Sequence, residues 1–464
     1  MKRILYSFSL IYFFFATNIF SAQAQKIKVY FNHPVNTNVS SGVNAIYLNQ
    51  TIDDTLIAYV NRAHYSIDIA VYNYIQSGSM SNIATAINNA YLRGVIIRWI
   101  YNGSSSNSGL SLLNSGINKL ASPTSSAYNI MHNKFMVIDA NSTNTNDPIV
   151  WTGSCNWDYE QFNSDVNNVI IFQDSSLAHA YTTEFNEMWG GTGLVPNITL
   201  SKFGPFKTNN TQHFFNIGGA IVEQYFSPSD NTNSHILDAI SSANDDLYFG
   251  VYTFTENSEA DSIVSKIQNQ NVYTAGILDQ YSQSFTPYSI LNPVMTNKLK
   301  IYNQPTSIYH SKLLIADPCS PTSDPLIETG SHNWTVSADT KNDENTVIVH
   351  DHTIANIYYQ SFYQNFIDLG GVLTPCSTSS SVQEINNFSI KIYPNPVNDF
   401  LTVIVNEAKQ SQLIICNTFG QQFKSMKLNA GENKINTQDF HEGIYFLRIN
   451  NSGNIYNTKL IIAH

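Results

Sequence analysis

The sequence predicts a duplicated α/β fold followed by a small β-sandwich. Two short apolar runs, residues 65–74 and 245–254, are rich in β-branched and aromatic residues and predict buried strands. Each follows a helical stretch, residues 51–63 and 234–243. Each run also precedes a second helical stretch, at 82–93 and 261–268, and then a further strand, at 95–101 and 272–278. Strands that alternate with helices in this way predict a sheet with helices on both faces.

The two copies also end alike. Residues 177–189 and 354–366 both predict a helix with aromatic side chains at helical spacing, so the repeat covers about 26–200 and 218–376. A short polar linker is expected at 377–387. Beyond it, in 388–464, short alternating segments at 390–393, 400–405, 412–416, 434–436 and 444–449 are separated by glycines, which predicts a small antiparallel β-sandwich.

Composition and the first residues indicate an exported globular protein. The 464 residues are 42% hydrophobic and only 12% charged, which excludes a disordered chain. Lys2 and Arg3, the apolar run 4–16 and the Ala-Gln-Ala at 22–24 predict a signal peptide over 1–24. No later segment is apolar for long enough to span a membrane, so none is expected after signal removal.

Net charge and cysteines narrow the possibilities further. The formal net charge of −11 argues against a general basic face for nucleic acid, although a local basic cleft stays possible. Cys319 and Cys376 flank the end of the second copy and are the expected disulfide pair in an exported chain. Cys155 and Cys416 are expected to be free.

One cluster of polar residues occurs in both copies. His132, Lys134 and Asp139 form the pattern H-x-K-x-x-x-x-D, and His310, Lys312 and Asp317 repeat it. A G-S-x-N-W segment follows each, at 153–157 and 330–334, beginning 21 residues after His132 and 20 after His310. Such a repeat is hard to produce by chance, so we expect it to form a site.

The residue types in this cluster predict chemistry on an anion. On a strand, a His and a Lys two residues apart project from the same face. Lysine supplies positive charge for phosphoryl oxygens, and histidine can attack or donate a proton. The side chains of the two G-S-x-N turns can hold the same oxygens, and they are Ser154, Asn156, Ser331 and Asn333. Two such sets face to face suit an in-line displacement through a covalent phosphohistidine.

These residues resemble the double motif of the phospholipase D superfamily. The resemblance implies two α/β/α halves packed as a pseudo-dimer, with a metal-free active site between them. It further implies that His132 and His310 are the nucleophile and the acid/base, that Lys134, Lys312, Asn156 and Asn333 bind phosphate, and that Asp139 and Asp317 support the motif.

The resemblance also assigns residues that orient the histidines. Glu344, in the segment KNDEN, matches the acidic residue that would hold the tautomer of His310. The first copy departs from the pattern, because Asn167 stands in the matching place; either Asp165 serves His132, or no acid does. His132 is the expected nucleophile by family precedent, with His310 as the alternative.

Several residues next to the motifs are expected to have mainly structural roles. Trp157 and Trp334 are expected in the core, and Tyr72 and Tyr252 as buried strand residues. His332 either touches substrate or is a hydrogen-bonded structural residue. The other histidines show no tight ligand spacing, so neither a metal nor a cofactor is expected.

The C-terminal module resembles the type A sorting domain of the type IX secretion system. The resemblance extends over about 388–464 and depends on the order of YPNP at 393–396, NTFG at 417–420, GEN at 431–433, GIYF at 443–446 and KLII at 459–462. It implies the type IX machinery as a partner and a secreted or outer-surface location.

Three functions fit these features. The first is a secreted phospholipase D acting on a phospholipid, the second a secreted nuclease of the same fold, and the third an inactive binding protein. The intact His and Lys in both copies argue against the third. Acidity and export favour lipid over nucleic acid, and a monomer is expected.

Overall fold

The structure is a computed structural model that describes residues 26–125, 127–321, 323–374, 390–395, 397–405, 411–417, 422–441, 443–451 and 454–462. The expected signal peptide and linker lie outside the described residues.

The first half is built on a mixed seven-stranded sheet. Its strands are β1 (Ile27–Phe31), β2 (Ser66–Val71), β3 (Ile96–Tyr101), β4 (Asn118–Ala121), β5 (Lys134–Ile138), β6 (Ile149–Gly153) and β7 (Asn168–Phe172), in the order β1-β7-β6-β5-β2-β3-β4. Its helices are α1 (Ile52–Arg62), α2 (Met80–Leu92), α3 (Tyr159–Asn163) and α4 (Ser175–Trp189). β2, β3 and β4 are parallel, whereas β5 runs antiparallel to β2.

The second half repeats this sheet with one added strand. Its strands are β8 (Phe214–Ile217), β9 (Ala220–Ser227), β10 (Asp246–Val251), β11 (Tyr273–Asp279), β12 (Leu299–Tyr302), β13 (Lys312–Ala316), β14 (Leu326–Gly330) and β15 (Glu344–His350). Its helices are α5 (Thr232–Ser242), α6 (Asn257–Gln270), α7 (Thr286–Met295), α8 (Val336–Thr340) and α9 (His352–Asp368). The order β12-β11-β10-β13-β14-β15-β9-β8 matches the first sheet strand for strand as far as β9, which confirms the predicted duplication.

The two halves share one hydrophobic core between their sheets. The ring of Tyr181 on α4 meets Phe226 of the second half edge-on at 5.0 Å, and Tyr358 on α9 meets Phe31 of the first half at 5.3 Å. All four side chains are at most 1% exposed. Burial of aromatic side chains contributes about 1.5–3 kcal/mol each, so this shared core holds the halves together and fixes their relative position.

The C-terminal module consists of two small antiparallel sheets. Its strands are β16 (Ile390–Tyr393), β17 (Phe400–Val405), β18 (Gln412–Asn417), β19 (Gln422–Lys427), β20 (Gly431–Asn436), β21 (Gly443–Asn451) and β22 (Asn454–Ile462). They form the orders β16-β17-β20 and β19-β18-β21-β22. The small β-sandwich is confirmed, although β19 and β22 were not predicted as strands. Both lie at a sheet edge, and β19 has mostly exposed side chains, so it lacks an apolar pattern.

Three other expectations can be compared with the described residues. Cys319 is in a disulfide bond, Cys376 lies outside the described residues, and Cys155 and Cys416 are free. Within the described ranges, no helix combines the length and the apolar character needed to cross a bilayer. The exact domain limits given above stay a prediction.

Candidate active site

The two motif histidines lie at the junction of the halves, and each is tied to the opposite half. His132 and His310 come two residues before β5 and β13. The backbone N–H of His132 donates to the carbonyl of Asp343 at 2.9 Å, and that of His310 donates to the carbonyl of Val166 at 3.0 Å. The segment that carries each histidine is therefore paired with a loop of the other half.

The orienting residues are exchanged between the halves in the same way. The Nδ1 atom of His132 lies 2.8 Å from a carboxylate oxygen of Glu344, and Nδ1 of His310 lies 3.0 Å from Oδ1 of Asn167. The expectation that Glu344 holds His310 is wrong, because the crossed loops bring each orienter to the histidine of the opposite half. Both acceptors favour a proton on Nδ1 of the histidine, which leaves Nε2 to face the site.

Asp165 does not orient His132. Its Oδ1 accepts the backbone N–H of Ile308 at 2.9 Å, and its Oδ2 accepts from the side chain of Gln161. The suggestion that Asp165 replaces the missing acid is therefore wrong. The residue instead fastens a first-half loop to the chain just before His310.

The serines of the two G-S-x-N turns support the orienters. Ser154 Oγ donates to Asn167 Oδ1 at 2.7 Å, and Ser331 Oγ donates to Glu344 Oε2 at 2.6 Å. Their hydroxyl protons thus point to the orienting side chains. Asn342 adds a further donor to Glu344 at 3.0 Å. Each histidine is therefore held through a chain of two hydrogen bonds.

The glycine of each turn is required by its close contact with a neighbouring strand. Gly153 and Gly330 have φ angles of 142° and 154°. A Cβ atom there would collide with the carbonyl oxygens of Asn168 and Asn345, so only glycine lets the turn approach these strands.

The two lysines are fully buried beside the histidines. Lys134 and Lys312 are 2% and 0% exposed. Each Nζ donates to the backbone carbonyl of the histidine two residues earlier, at 2.8 Å for His132 and 2.5 Å for His310. Among the described residues this is the one hydrogen bond of each Nζ, so each lysine keeps donor positions next to its imidazole, as a site for an anion requires.

The asparagines of the turns occupy different surroundings. Asn156 is nearly buried, and its Oδ1 has no hydrogen-bond partner among the described residues. Asn333 is partly exposed, and its Oδ1 accepts the backbone N–H of Thr253 at 3.3 Å. Both follow directly on the serine-bearing turns of the site.

Asp139 and Asp317 have the same structural surroundings in the two halves. The Asp139 carboxylate accepts three successive backbone N–H groups, of residues 64, 65 and 66, at 2.7–2.8 Å. The Asp317 carboxylate does the same for residues 244, 245 and 246 at 2.8–2.9 Å. Both side chains anchor the turn that leads into the central strand, away from the histidines.

Two tyrosines belong to the site although they were predicted as strand core. Tyr72 and Tyr252 are only partly buried, and their rings lie 5.1 Å from His132 and 5.2 Å from His310. They follow directly on β2 and β10. The carboxyl ends of parallel strands are the edge at which α/β sheets bind ligands, and that rule could have identified them.

The other neighbours of the motifs are buried. Trp157 and Trp334 are 1% and 0% exposed, and each packs in a hydrophobic core formed by its own half, as expected. His332 is 1% exposed, and neither of its ring nitrogens has a hydrogen-bond partner among the described residues.

The electrostatics of the site favour an anion. Burial lowers the pKa of His132 to about 4 and that of Lys134 to about 7, although Glu344 opposes both shifts. Burial and the charge of Lys312 hold the pKa of His310 well below its usual range. Burial and the charge of Lys134 do the same for the pKa of Lys312. Burial alone would raise the pKa of Glu344, but His132 and Lys134 outweigh it and hold that pKa at about 2. A bound anion would therefore favour the protonated form of all four groups.

Comparison with known proteins agrees with this geometry. Residues 56–189 and 236–366, more than half of the chain, match the family model described as cardiolipin synthase, PLD-like domain. The chain belongs to the phospholipase D superfamily. Residues 391–463 match the secretion system C-terminal sorting domain. The expected membership of this superfamily, and export by type IX secretion to the cell surface or the extracellular space, are thereby confirmed.

Individual relatives of this phospholipase D-like protein are distant. A mitochondrial cardiolipin hydrolase of Drosophila melanogaster is 32% identical over 150 residues, which span 29% of this chain and 57% of that protein. A phospholipase D of Rickettsia bellii is 24% identical over 173 residues, 37% of this chain and 82% of that protein. The phosphatidylserine synthase of Haemophilus influenzae Rd KW20 shares the fold, with a TM-score of 0.53 at 13% identity over 76% of this chain and 89% of that one.

Proposed function

We propose that this protein is a secreted phospholipase D that hydrolyses a phospholipid phosphodiester through a phosphohistidine on His132. The observation that supports the mechanism is the unequal pair of orienters, the Glu344 carboxylate on Nδ1 of His132 and the Asn167 carboxamide on Nδ1 of His310. Phosphorylation of Nε2 gives the imidazole a positive charge. A carboxylate stabilises that charge better than a carboxamide does, so His132 is the better nucleophile.

The first step transfers the phosphatidyl group. Neutral Nε2 of His132 attacks phosphorus while protonated Nε2 of His310 gives its proton to the departing alcohol oxygen. One P–N bond forms and one P–O bond breaks. Lys134 and Lys312, with the amide groups of Asn156 and Asn333, bind the non-bridging oxygens and stabilise the charge of the transition state.

The second step reverses these roles. Neutral His310 now takes a proton from water, the water oxygen attacks phosphorus, and the P–N bond to His132 breaks. Phosphatidate is released, and His310 is again protonated for the next turnover. No residue outside the two motifs and their orienters is needed for this cycle.

Lipid rather than nucleic acid is the proposed substrate for two reasons. Two of the three proteins compared above carry names of lipid-cleaving enzymes, a cardiolipin hydrolase and a phospholipase D. The chain is also acidic, with 34 Asp and Glu against 23 Lys and Arg, so a long polyanion would meet net repulsion outside the lysine-lined site.

A side-by-side assay tests the substrate. The purified mature chain is incubated with phosphatidylcholine vesicles and with plasmid DNA, and released choline and nicked plasmid are measured. Choline release that His132→Ala and His310→Ala both abolish is the expected result. Nicking of plasmid without choline release would replace the lipase by a nuclease of the same fold.

A trapping experiment tests the mechanism. With a phosphate-labelled substrate that has a good leaving group, we expect acid-labile label on the protein in the His310→Ala variant and none in His132→Ala. Label on His310 would reverse the two roles, and substantial turnover by the double variant would exclude the phosphohistidine cycle.

A further inference from the structure

The loop that carries Glu344 is held by a buried group of charges that belongs to neither motif. Lys207 lies in the segment between the halves, and its Nζ donates to Glu184 Oε1 on α4 and to the backbone carbonyl of Ser227 at the end of β9. The same Nζ lies 3.1 Å from Oδ1 of Asp343, the residue directly before Glu344. The side chains of Lys207, Glu184 and Asp343 are at most 1% exposed. These three residues are called the charged triad below.

Asp343 connects the charged triad to a motif histidine. Its backbone carbonyl accepts the N–H of His132 at 2.9 Å, and its own N–H donates to the carbonyl of Ile130 at 3.0 Å. Its side chain also accepts the backbone N–H of Gly204 at 2.7 Å. The next residue, Glu344, holds Nδ1 of His132. A shift of Asp343 would therefore move both the main chain of His132 and the carboxylate that orients its ring.

The other half makes the same connection with an apolar residue. Val166 stands in the place of Asp343. Its carbonyl accepts the N–H of His310, and its N–H donates to the carbonyl of Ile308, at 3.0 and 2.9 Å. Val166 also directly precedes the orienter Asn167, and its side chain is buried in the core that the halves share. The same loop geometry is therefore reached on this side without a charge.

The helix contact of the triad also has a neutral counterpart on the His310 side. Ser361 follows the capping aspartate of α9 by ten residues, as Glu184 follows that of α4, so the two positions are equivalent. Ser361 Oγ lies 2.8 Å from Nε2 of His33. Burial lowers the pKa of His33 to about 3, so this imidazole is neutral. The corresponding group on the His310 side is therefore uncharged.

The fold does not need these charges, because the equivalent half is built without them. Replacing a buried ion pair by apolar residues is often neutral or stabilising, whereas buried ionic groups can serve to fix one conformation. Burial would lower the pKa of Lys207, but Glu184 and Asp343 outweigh it and raise that pKa above its usual value. The ammonium group therefore stays charged and holds its neighbours through directed contacts, whereas a valine side chain only fills space.

We propose that Lys207 is a positioning residue for the nucleophile, which fixes Asp343 and Glu344 where they hold His132 ready to attack phosphorus. The inference depends on the proposed function, in which His132 accepts the phosphatidyl group. The Lys207 side chain is fully buried and its contacts are with protein groups, so its effect must pass through residues 343–344. Loss of these contacts should slow the attack and leave substrate binding nearly unchanged.

A variant without the three charges tests this role. Lys207→Met alone would leave two carboxylates buried without their cation, which is strongly destabilising. The triple variant Lys207→Met, Glu184→Gln, Asp343→Asn removes all three charges together, so no carboxylate stays buried without a partner. Arg98→Met with Asp68→Asn is the matched control, because this ion pair is similarly buried but joins β2 to β3.

Formation of the phosphoenzyme is followed in single turnovers with a phosphate-labelled substrate that has a good leaving group. We expect the triple variant to acquire label about 5- to 100-fold more slowly, since a small displacement of a reacting group can cost about 10²-fold. The half-saturating substrate concentration should stay nearly unchanged. The control variant should keep the wild-type rate, although urea unfolding shows that it has lost stability.

Combination with Glu344→Gln separates positioning from a merely structural role. If Lys207 acts through Glu344, the triple variant should slow labelling by a factor at least about twofold smaller in the Glu344→Gln background, because both changes act on one contact. For the Asp343 position this combined variant carries Asn in both backgrounds, so the comparison is matched. An equal factor in both backgrounds would show that Lys207 only stabilises the fold, and would overturn the proposal.

Failure of this inference differs from failure of the proposed function. A wild-type rate of labelling in the triple variant, with the wild-type protein labelled on His132, would refute the positioning role alone. Absence of acid-labile label on the wild-type protein would refute the phosphohistidine on which both proposals depend.

Discussion

Replacing Glu344 by Gln isolates the effect of its charge on His132. Glu344 Oε1 accepts from His132 and Asn342, and Oε2 accepts from His132 and from Ser331 at 2.6 Å. A glutamine can keep its oxygen at the first position and place its NH₂ group toward Ser331, whose hydroxyl can turn to accept. The Glu344→Gln variant therefore keeps the shape of the site and the orientation of His132 while it removes one negative charge.

The size of the effect follows from the kind of hydrogen bond that is changed. A hydrogen bond to a charged group contributes about 1.5–3 kcal/mol, and a neutral one about 0.5–1.5 kcal/mol. The difference of about 1–2 kcal/mol acts on the step in which His132 becomes positively charged, and each 1.36 kcal/mol is tenfold in rate. We expect phosphoenzyme formation to slow by about 5- to 30-fold, with little change in KM.

The assay is a single-turnover experiment with a phosphate-labelled substrate, in which acid-labile label on the protein is followed with time. Asn167→Asp is the matched variant, because it places a carboxylate against His310 within the same Ser154 contact. In the double variant Glu344→Gln, Asn167→Asp, we expect label to move toward His310. An unchanged rate in Glu344→Gln, or label that stays on His132 in the double variant, would refute the idea that the carboxylate selects the nucleophile.

Four further predictions follow from the same structure. His132 must be neutral to attack and His310 protonated to release the alcohol, so kcat/KM should fall as pH drops through about 4, and its fall on the alkaline side should come below the ordinary histidine pKa, because the pKa of His310 is held well below that value; an alkaline limb at or above the ordinary histidine pKa would contradict these shifts. Excess chelator should leave the rate unchanged, whereas loss restored by one added metal would show a missed metal site. Burial would lower the pKa of His350, but two carboxylates outweigh it and raise that pKa to about 10. The stabilisation of the fold by protonated His350 should therefore be complete below about pH 6.5. Between about pH 6.5 and 10 the free energy of unfolding, measured with urea, should fall by at most about 1.4 kcal/mol per pH unit, and His350→Gln should abolish that slope. Deleting 385–464 should abolish export and leave the purified core active; an unfolded core would refute the separation of the two parts.

The sequence could predict the fold because each half obeys local rules. The runs that became β2 and β10, and the helices around them, were found within a few residues from apolar patterns alone. The repeated order of these elements then predicted two equivalent sheets. β19 was missed because an exposed edge strand has no apolar pattern to detect.

The partners of the histidines could not be predicted, for a physical reason. Glu344 stands in the second half, and its motif spacing relates it to His310. The fold instead crosses the two loops, so that Glu344 reaches His132 and Asn167 reaches His310. That crossing depends on the shared core between the halves, which is a property of packing. No spacing within one half contains this information.

One asymmetry between otherwise equivalent halves supports one direction of reaction. A carboxylate stands against His132 where His310 has a carboxamide, which favours His132 as the residue that accepts phosphorus. Each orienter reaches the histidine of the opposite half and is held by the serine of its own half. A protein with two identical halves would have no preferred direction, and the pair Glu344 and Asn167 is where the duplicated chain acquires one.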